Sequence, residues 1–432
     1  MHVVILAEFA VASGGAEKVA VESARGLAEA GIAVSFIQAI DGPADALLDH
    51  PRIHRIGLGL DDVWSLPAWK GAVTGIWHAE AARRLATTLD ALPVTPNCIH
   101  LHQWTRALSP AVLPVLLARG VPVALTLHDY FLACPNGLYY RFDQAEPCTL
   151  KPLSASCVTA ACDPKSRLHK LVRVARSAAM RTAIGAGRLD VIHVCDASVG
   201  RAGALLAGFD LRHHRLDNPV RTPKGPPADP AKGDAIAYVG RLTREKGADL
   251  VADAARQAGI PALFIGAGPL EARLRATPGV EVLGWRSPAE VEAILRSRAR
   301  AVCAPSRWYE TGPLTIYEAL AAGIPAIAST HSGASEKVED GVSGFAVAPD
   351  VAALAAAFAR ITDDEMVQRT GQAAHERYWA APMTLTAHAA GLIRIYETMM
   401  RGIAPKLSGA ASDPAFNLAA GCQRAETNLS LR

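Results

Sequence analysis

Short runs of apolar residues recur along this chain, each followed by a longer stretch in which apolar positions return every three or four residues. The first run, His2-Val-Val-Ile-Leu-Ala7, predicts a strand, and the period from about Ala16 to Ala30 predicts a helix. A strand around Ala33–Ala39 follows, with later strands at Cys98–His102, Val121–Leu127 and Val191–Val194. A proline-rich stretch, Asn218 to Pro230, then interrupts the pattern and reads as a linker. The pattern restarts at Ala235–Val239 and continues through runs near 262–265, 280–283 and 301–304 and at Ile324–Ser329. Strands that read as unbroken apolar runs between helices belong to parallel sheets covered on both faces. The expected division is a first α/β domain over 1–217, a linker over 218–234, a second α/β domain over 235–382 and a helix within 383–401. Residues 402–432 are small and polar, and are expected to form no packed core.

A length of 432 residues agrees with two cores rather than one. Half the residues are hydrophobic and 20% are charged, a globular composition. The formal net charge of +3, with no interleaved aromatic and basic clusters, gives no reason to expect a nucleic-acid partner. No apolar stretch reaches the length that crosses a bilayer, and the first strand lacks a basic leader and runs into Glu8. A cytoplasmic location is expected.

Candidate chemistry centres on Glu310-Thr-Gly-Pro-Leu-Thr-Ile-Tyr-Glu318. Pro313 suits the first position of a helix and Gly323 its end. The free amides at the mouth then belong to Leu314 and Thr315, and with the helix dipole they form an anion site. Glu310 precedes the mouth, while Glu318 lies about 8 Å farther along the axis. Carboxylates on either side of an anion site suit a sugar–diphosphate–nucleoside, which has hydroxyls at both ends. The bland reading is two solvated glutamates. Against it, the unit lies between the apolar runs Ala301–Pro305 and Ile324–Ser329, which places it at the carboxyl edge of a parallel sheet. Arg241 and Lys246 follow strand Ala235–Val239 between Gly240 and Gly247, where fixed cations suit a departing diphosphate. Gly14-Gly15 precedes the first helix, where backbone can approach a ligand closely. His128 ends the run Val123–Leu127; its bland reading is a hydrogen-bonded core histidine.

With these motifs the chain resembles family 4 of the retaining glycosyltransferases, which have the GT-B fold. Five segments carry the resemblance: Ser13-Gly-Gly-Ala-Glu17, Thr126-Leu-His-Asp129, Val239 to Gly247, Phe264-Ile-Gly-Ala-Gly-Pro269, and Pro305 through Ser329. It spans roughly residues 1–400 and implies two Rossmann-like domains facing across a cleft, with the helix in 383–401 crossing back to the first. It implies transfer of a sugar from a UDP- or GDP-sugar to a carbohydrate or lipid-linked acceptor, with His128, Arg241, Lys246 and Glu310 catalytic. Gly14, Gly15, Gly266, Leu314, Thr315 and Glu318 would bind the donor. Where many members have Glu-Gly-Phe-Gly, this chain has Glu310-Thr-Gly-Pro313, an imide in place of a glycine amide. No Asp-x-Asp triplet occurs, so no cofactor or catalytic metal is expected. A nucleotide-sugar epimerase of the same fold, or a non-catalytic GT-B scaffold binding nucleotide or polysaccharide, are the alternative readings.

Four of the eight cysteines, Cys134, Cys148, Cys157 and Cys162, crowd one stretch and are candidates for structural zinc, although their spacing is not that of common zinc sites. Between Asp163 and Asp190 there are cations but no acids. The segment 165–188 therefore reads as a basic amphipathic helix, either lying on anionic membrane or exposing a solvated cationic face. Trp64, Trp69 and Trp77 either stack on sugars or fill core.

Overall fold

The computed structural model describes residues 1–12 and 14–402, so Ser13 and the expected polar tail beyond Gly402 lie outside the described residues. Two parallel sheets organise the chain. The first has seven strands in the order Ile53–Gly57, Ala33–Gln38, His2–Ala7, Cys98–Leu101, Val123–Leu127, Leu189–His193 and Leu211–Arg215. The second has six, in the order Val280–Gly284, Ala262–Ile265, Ala235–Val239, Ala299–Ala304, Ala326–Ser329 and Gly344–Val347. Strand order reverses beside His2–Ala7 in one sheet and beside Ala235–Val239 in the other. Such switch points open a crevice at the carboxyl ends of the strands.

Alternation along the strands builds a core on each face. Val4 and Leu6 pack under the helix Ala79–Asp90, with Leu85 and Leu89. Val3 and Ile5 face the helix Gly15–Glu29 and share their cluster with Leu392, Tyr396 and Met399. These last three belong to the terminal helix Leu385–Arg401, which therefore lies on the first domain. Gly26 permits the approach, because a Cβ there would meet Leu385 at 3.1 Å. Polar contacts lock the helix: Tyr396 meets His100 at 2.7 Å, and His388 meets Ser23 at 3.0 Å and the Asp217 carbonyl at 2.9 Å. The chain crosses between the domains twice, and the two crossings are hydrogen-bonded together where the Val220 amide donates to the Met383 carbonyl at 2.9 Å. In the second domain Ile236 and Tyr238 pack with Val251 and Phe358, while Ala237 faces Ile316 and Leu320.

The outer strands Ile53–Gly57 and Leu211–Arg215 escape the sequence pattern because they are edge strands with polar, partly exposed side chains. The segment 165–188 forms the helix Arg167–Ile184, but it faces the other way from expectation. Lys170 and Arg176 are buried. Arg173 reaches Asp163 at 3.1 Å, and Arg176 lies over the rings of Phe131 and Trp104. Leu168 and Leu171 are the exposed residues instead. Trp64, Trp69 and Trp77 are likewise exposed, which overturns the core-filling alternative. Among the described residues no helix is long and apolar enough to cross a membrane.

Candidate functional site

In the second domain the loop after Ala235–Val239 is shaped by glycines that backbone contact demands. Gly266 has φ of 139°, and a Cβ there would lie 2.0 Å from the Gly240 carbonyl. Gly247 has φ of 77° and would strike the Pro305 carbonyl. With the loops seated together, the Lys246 ammonium reaches the Glu310 carboxylate, whose other oxygen accepts from the Ser306 hydroxyl. Glu310 is only 8% exposed, so these two donors supply what burial of a carboxylate requires. Arg307 grips Asp249 through both guanidinium nitrogens, at 2.6 and 3.0 Å, and so fixes the loop that carries Ser306 and Glu310.

Pro313 is the N-cap of the helix Leu314–Ala322, one position earlier than expected, with extended ψ of 119°. The amides of Leu314 and Thr315 find no acceptor among the described residues. Gly323 ends the helix at φ of 77°, as its position suggested. Opposite, Gly14 is the N-cap of Gly15–Glu29, with nothing within 4 Å of a Cβ placed on Gly15. The two helices meet through Lys18, whose ammonium lies 2.6 Å from Glu318. Burial opposes the charge on Lys18, but Glu318 and Glu22 raise its pKa above the ordinary lysine value. Glu22, one turn along, is buried with no partner on either carboxylate oxygen, and burial pushes it up to about 7.

His128 stands at the end of strand Val123–Leu127, half-buried. Its Nε2 meets His102 Nδ1 at 3.0 Å, and burial, helped by His388, drives its pKa down to about 3. The imidazole is therefore neutral at physiological pH: it can share hydrogen bonds but brings no charge. The His128 carbonyl accepts from the Thr311 hydroxyl at 2.9 Å, so this wall of the first domain touches the residue beside Glu310. Beneath it Glu8 caps the amides of Ala107 at 2.6 Å and Leu108 at 3.4 Å, and burial lifts its pKa to about 7.

The structure thus groups Lys246 with Glu310, and Gly14 and Gly15 with Glu318 through Lys18. Arg241 makes no close contact; its side chain is 66% exposed and its nearest acid, Glu245, is 3.9 Å away. Gly266 packs its Cα against the Gly240 carbonyl, in the loop next to the one that carries Arg241 and Lys246. The cysteines do not form a ligand set. Among the described residues no three His, Cys, Asp or Glu side chains gather to hold a metal, and Cys162 instead takes the Lys170 ammonium at 2.8 Å, with Cys157 at 3.9 Å. Lys18, Ser306, Thr311 and His102 were not singled out from sequence. Lys18 is the one with a local signal, being the first basic residue after the paired glycines.

Cations, free amides at a helix mouth and flanking carboxylates together suit an anion with hydroxyls at both ends. Comparison with known proteins agrees. The model for Glycosyltransferase Family 4 matches residues 13–163, and that for Glycosyl transferases group 1 matches residues 224–377. The chain is 35% identical over 190 residues to the putative colanic acid biosynthesis glycosyltransferase WcaL of Escherichia coli, an alignment covering 39% of this chain and 43% of WcaL. The match to the same protein of Salmonella typhimurium covers 36% of it, so these alignments span less than half of that relative. D-inositol 3-phosphate glycosyltransferase of Frankia alni is 27% identical over 78% of this chain and 82% of its own. Among solved structures, Anabaena HepE in complex with UDP and glucose superposes with a TM-score of 0.64 at 18% identity, covering 92% of this chain and 100% of HepE. Sucrose-phosphate synthase from Thermosynechococcus elongatus gives 0.67 at 18% identity, covering 93% and 99%. The fold is GT-B, two Rossmann-like domains about one cleft.

Proposed function

We propose that this chain, which belongs to the glycosyl transferases group 1, transfers a sugar from a nucleoside-diphosphate donor to a carbohydrate or lipid-linked acceptor, with retention at the anomeric carbon and without a metal ion. The observation that carries this reading is the Lys246–Glu310–Ser306 cluster beside the free amides of Leu314 and Thr315.

The two amides and the helix dipole hold diphosphate oxygens, and Lys246 and Arg241 offset the charge that builds there as the bond to the sugar breaks. Glu318, already oriented by Lys18, accepts hydrogen bonds from the ribose. Glu310 orients the sugar ring through its hydroxyls, and neutral His128 completes the sugar pocket from the facing domain. The leaving phosphate oxygen takes the acceptor's proton on the face from which it departs, which accounts for retention without a protein nucleophile. A covalent route through Glu310 is the known alternative for two carboxyl groups about a glycosidic bond. In this chain Glu310 is engaged on both oxygens, which favours the orienting role.

Incubation with UDP- and GDP-sugars should release nucleoside diphosphate, and NMR of the product should show the donor's anomeric configuration. No release with any donor, or an inverted product, would refute the reading.

A further inference from the structure

Nine large hydrophobic side chains are exposed among the described residues, and six of them belong to one region: Trp64, Trp69, Val73, Trp77, Leu168 and Leu171. Single exposed hydrophobics are ordinary, but a contiguous set marks a contact surface. Trp69, Val73 and Trp77 recur every four residues along and just past the helix Ala68–Ile76, so they form one stripe. Leu168 and Leu171 form a second on Arg167–Ile184, continued by exposed Ala175 and Ala178. The two helices pack together, and Trp64 joins them by lying against His169 at 5.4 Å and under the Lys165 ammonium at 3.3 Å.

The rim of this face is predominantly cationic. Lys70, Lys165 and Arg167 are exposed around it, while no acid occurs from Trp64 to Trp77 or from Lys165 to Arg188. Of the acids flanking it in sequence, Asp62 pairs with Arg106, Asp163 with Arg173 and His169, and Glu80 with Arg84, which leaves exposed Asp61 as a single acid against these three cations. The inward turn of Lys170, Arg173 and Arg176 is what leaves the leucines outside. Leu168 is 73% exposed and Trp69 72%.

We propose that this two-helix face docks on an anionic bilayer surface. Tryptophans and leucines enter the headgroup boundary, and Lys70, Lys165 and Arg167 meet the lipid phosphates. A protein partner of matching shape would have to supply acids around an apolar centre. A bilayer rich in acidic lipid offers both without a shaped counterpart. The membrane contact expected for the segment 165–188 is thereby relocated: its buried cations take no part, and the helix Ala68–Ile76 supplies half the surface. The inference stands on this surface alone and does not depend on the transfer reaction.

The test is co-sedimentation of the full chain with vesicles of phosphatidylglycerol and phosphatidylcholine, and with phosphatidylcholine alone, at low and high salt. Binding is expected to the mixed vesicles only, and to weaken with salt. The Trp69→Ser/Val73→Ser and Leu168→Ser/Leu171→Ser pairs should each lower it about tenfold or more, since each removes two inserting side chains. Lys165→Glu/Arg167→Glu should lower it at low salt, whereas Val94→Ser, equally exposed but apart from the face, should not. Unchanged melting temperatures exclude misfolding. Absence of binding to the mixed vesicles, or binding indifferent to these variants, overturns the proposal. So does a dimer that the apolar variants dissociate while neither form binds vesicles, which would assign the face to a second copy of the chain.

Discussion

The ammonium of Lys18 lies 2.6 Å from the carboxylate of Glu318, joining two domains through side chains 300 positions apart. One partner closes the first turn of the first domain's opening helix, and the other begins the second turn of the helix that carries the anion-binding mouth. Replacing Lys18 by Met should weaken donor binding several-fold with little change in turnover. Glu318→Gln should cost more affinity still. Both side chains are about a quarter exposed, so the pair contributes less than about 1 kcal/mol to stability. Titration calorimetry with a nucleoside diphosphate reads the first effect and thermal unfolding the second; a large loss of stability with intact affinity would reverse the assignment.

Lys246 and Glu310 should separate in the opposite sense. Lys246→Met leaves a buried carboxylate with the Ser306 hydroxyl alone, at a cost of about 3 kcal/mol in denaturant unfolding. Glu310→Gln leaves Lys246 partly exposed and should cost less stability, while still abolishing most turnover. Equal destabilisation by both would contradict this geometry.

Arg241→Ala should lower turnover about a hundredfold with unchanged melting temperature, because the exposed guanidinium holds nothing in the resting structure. If the loss appears only in the donor KM, Arg241 serves binding rather than the transition state.

Glu22 predicts a pH signature. Its folded pKa of about 7 stands above the ordinary 4.5, mainly through burial; Lys18 and Arg221 oppose that shift, while Glu318 and Asp45 add to it. Below pH 4.5 the group is protonated in both states and contributes no penalty. Between 4.5 and about 7 the unfolded chain releases the proton first, and stability falls by as much as about 3 kcal/mol, then levels. Glu22→Gln should remove that decline, so the two proteins should melt progressively farther apart from pH 4.5 to about 7 and stay apart above it. Parallel curves would show that the side chain has access to water or a partner.

Catalysis without a metal predicts that EDTA leaves turnover intact. Loss on chelation, restored by magnesium or manganese, would put a cation where Arg241 and Lys246 are assigned.

The central strands, the glycine turns and the Glu310-to-Glu318 unit were legible because each is a local pattern: unbroken apolar runs, positive-φ glycines, a helix with a proline start. Ile53–Gly57 and Leu211–Arg215 were not, since an edge strand shows water one side and carries no such run. Lys18 was hidden for another reason: its partner is set by how two domains meet, which no window of sequence contains. The helix Arg167–Ile184 misled outright. Charge counting turns its cations to solvent, whereas Asp163, the sulfurs of Cys157 and Cys162, and the faces of Phe131 and Trp104 receive them inside.

Two segments of backbone, fastened to each other at Val220 and Met383, are the covalent links between the lobes. A single tether would act as a swivel, letting one lobe spin against the other. A doubled one behaves like a door hinge with two leaves. It restrains twist more than a single tether would, which suits the one alignment in which Lys18 meets Glu318.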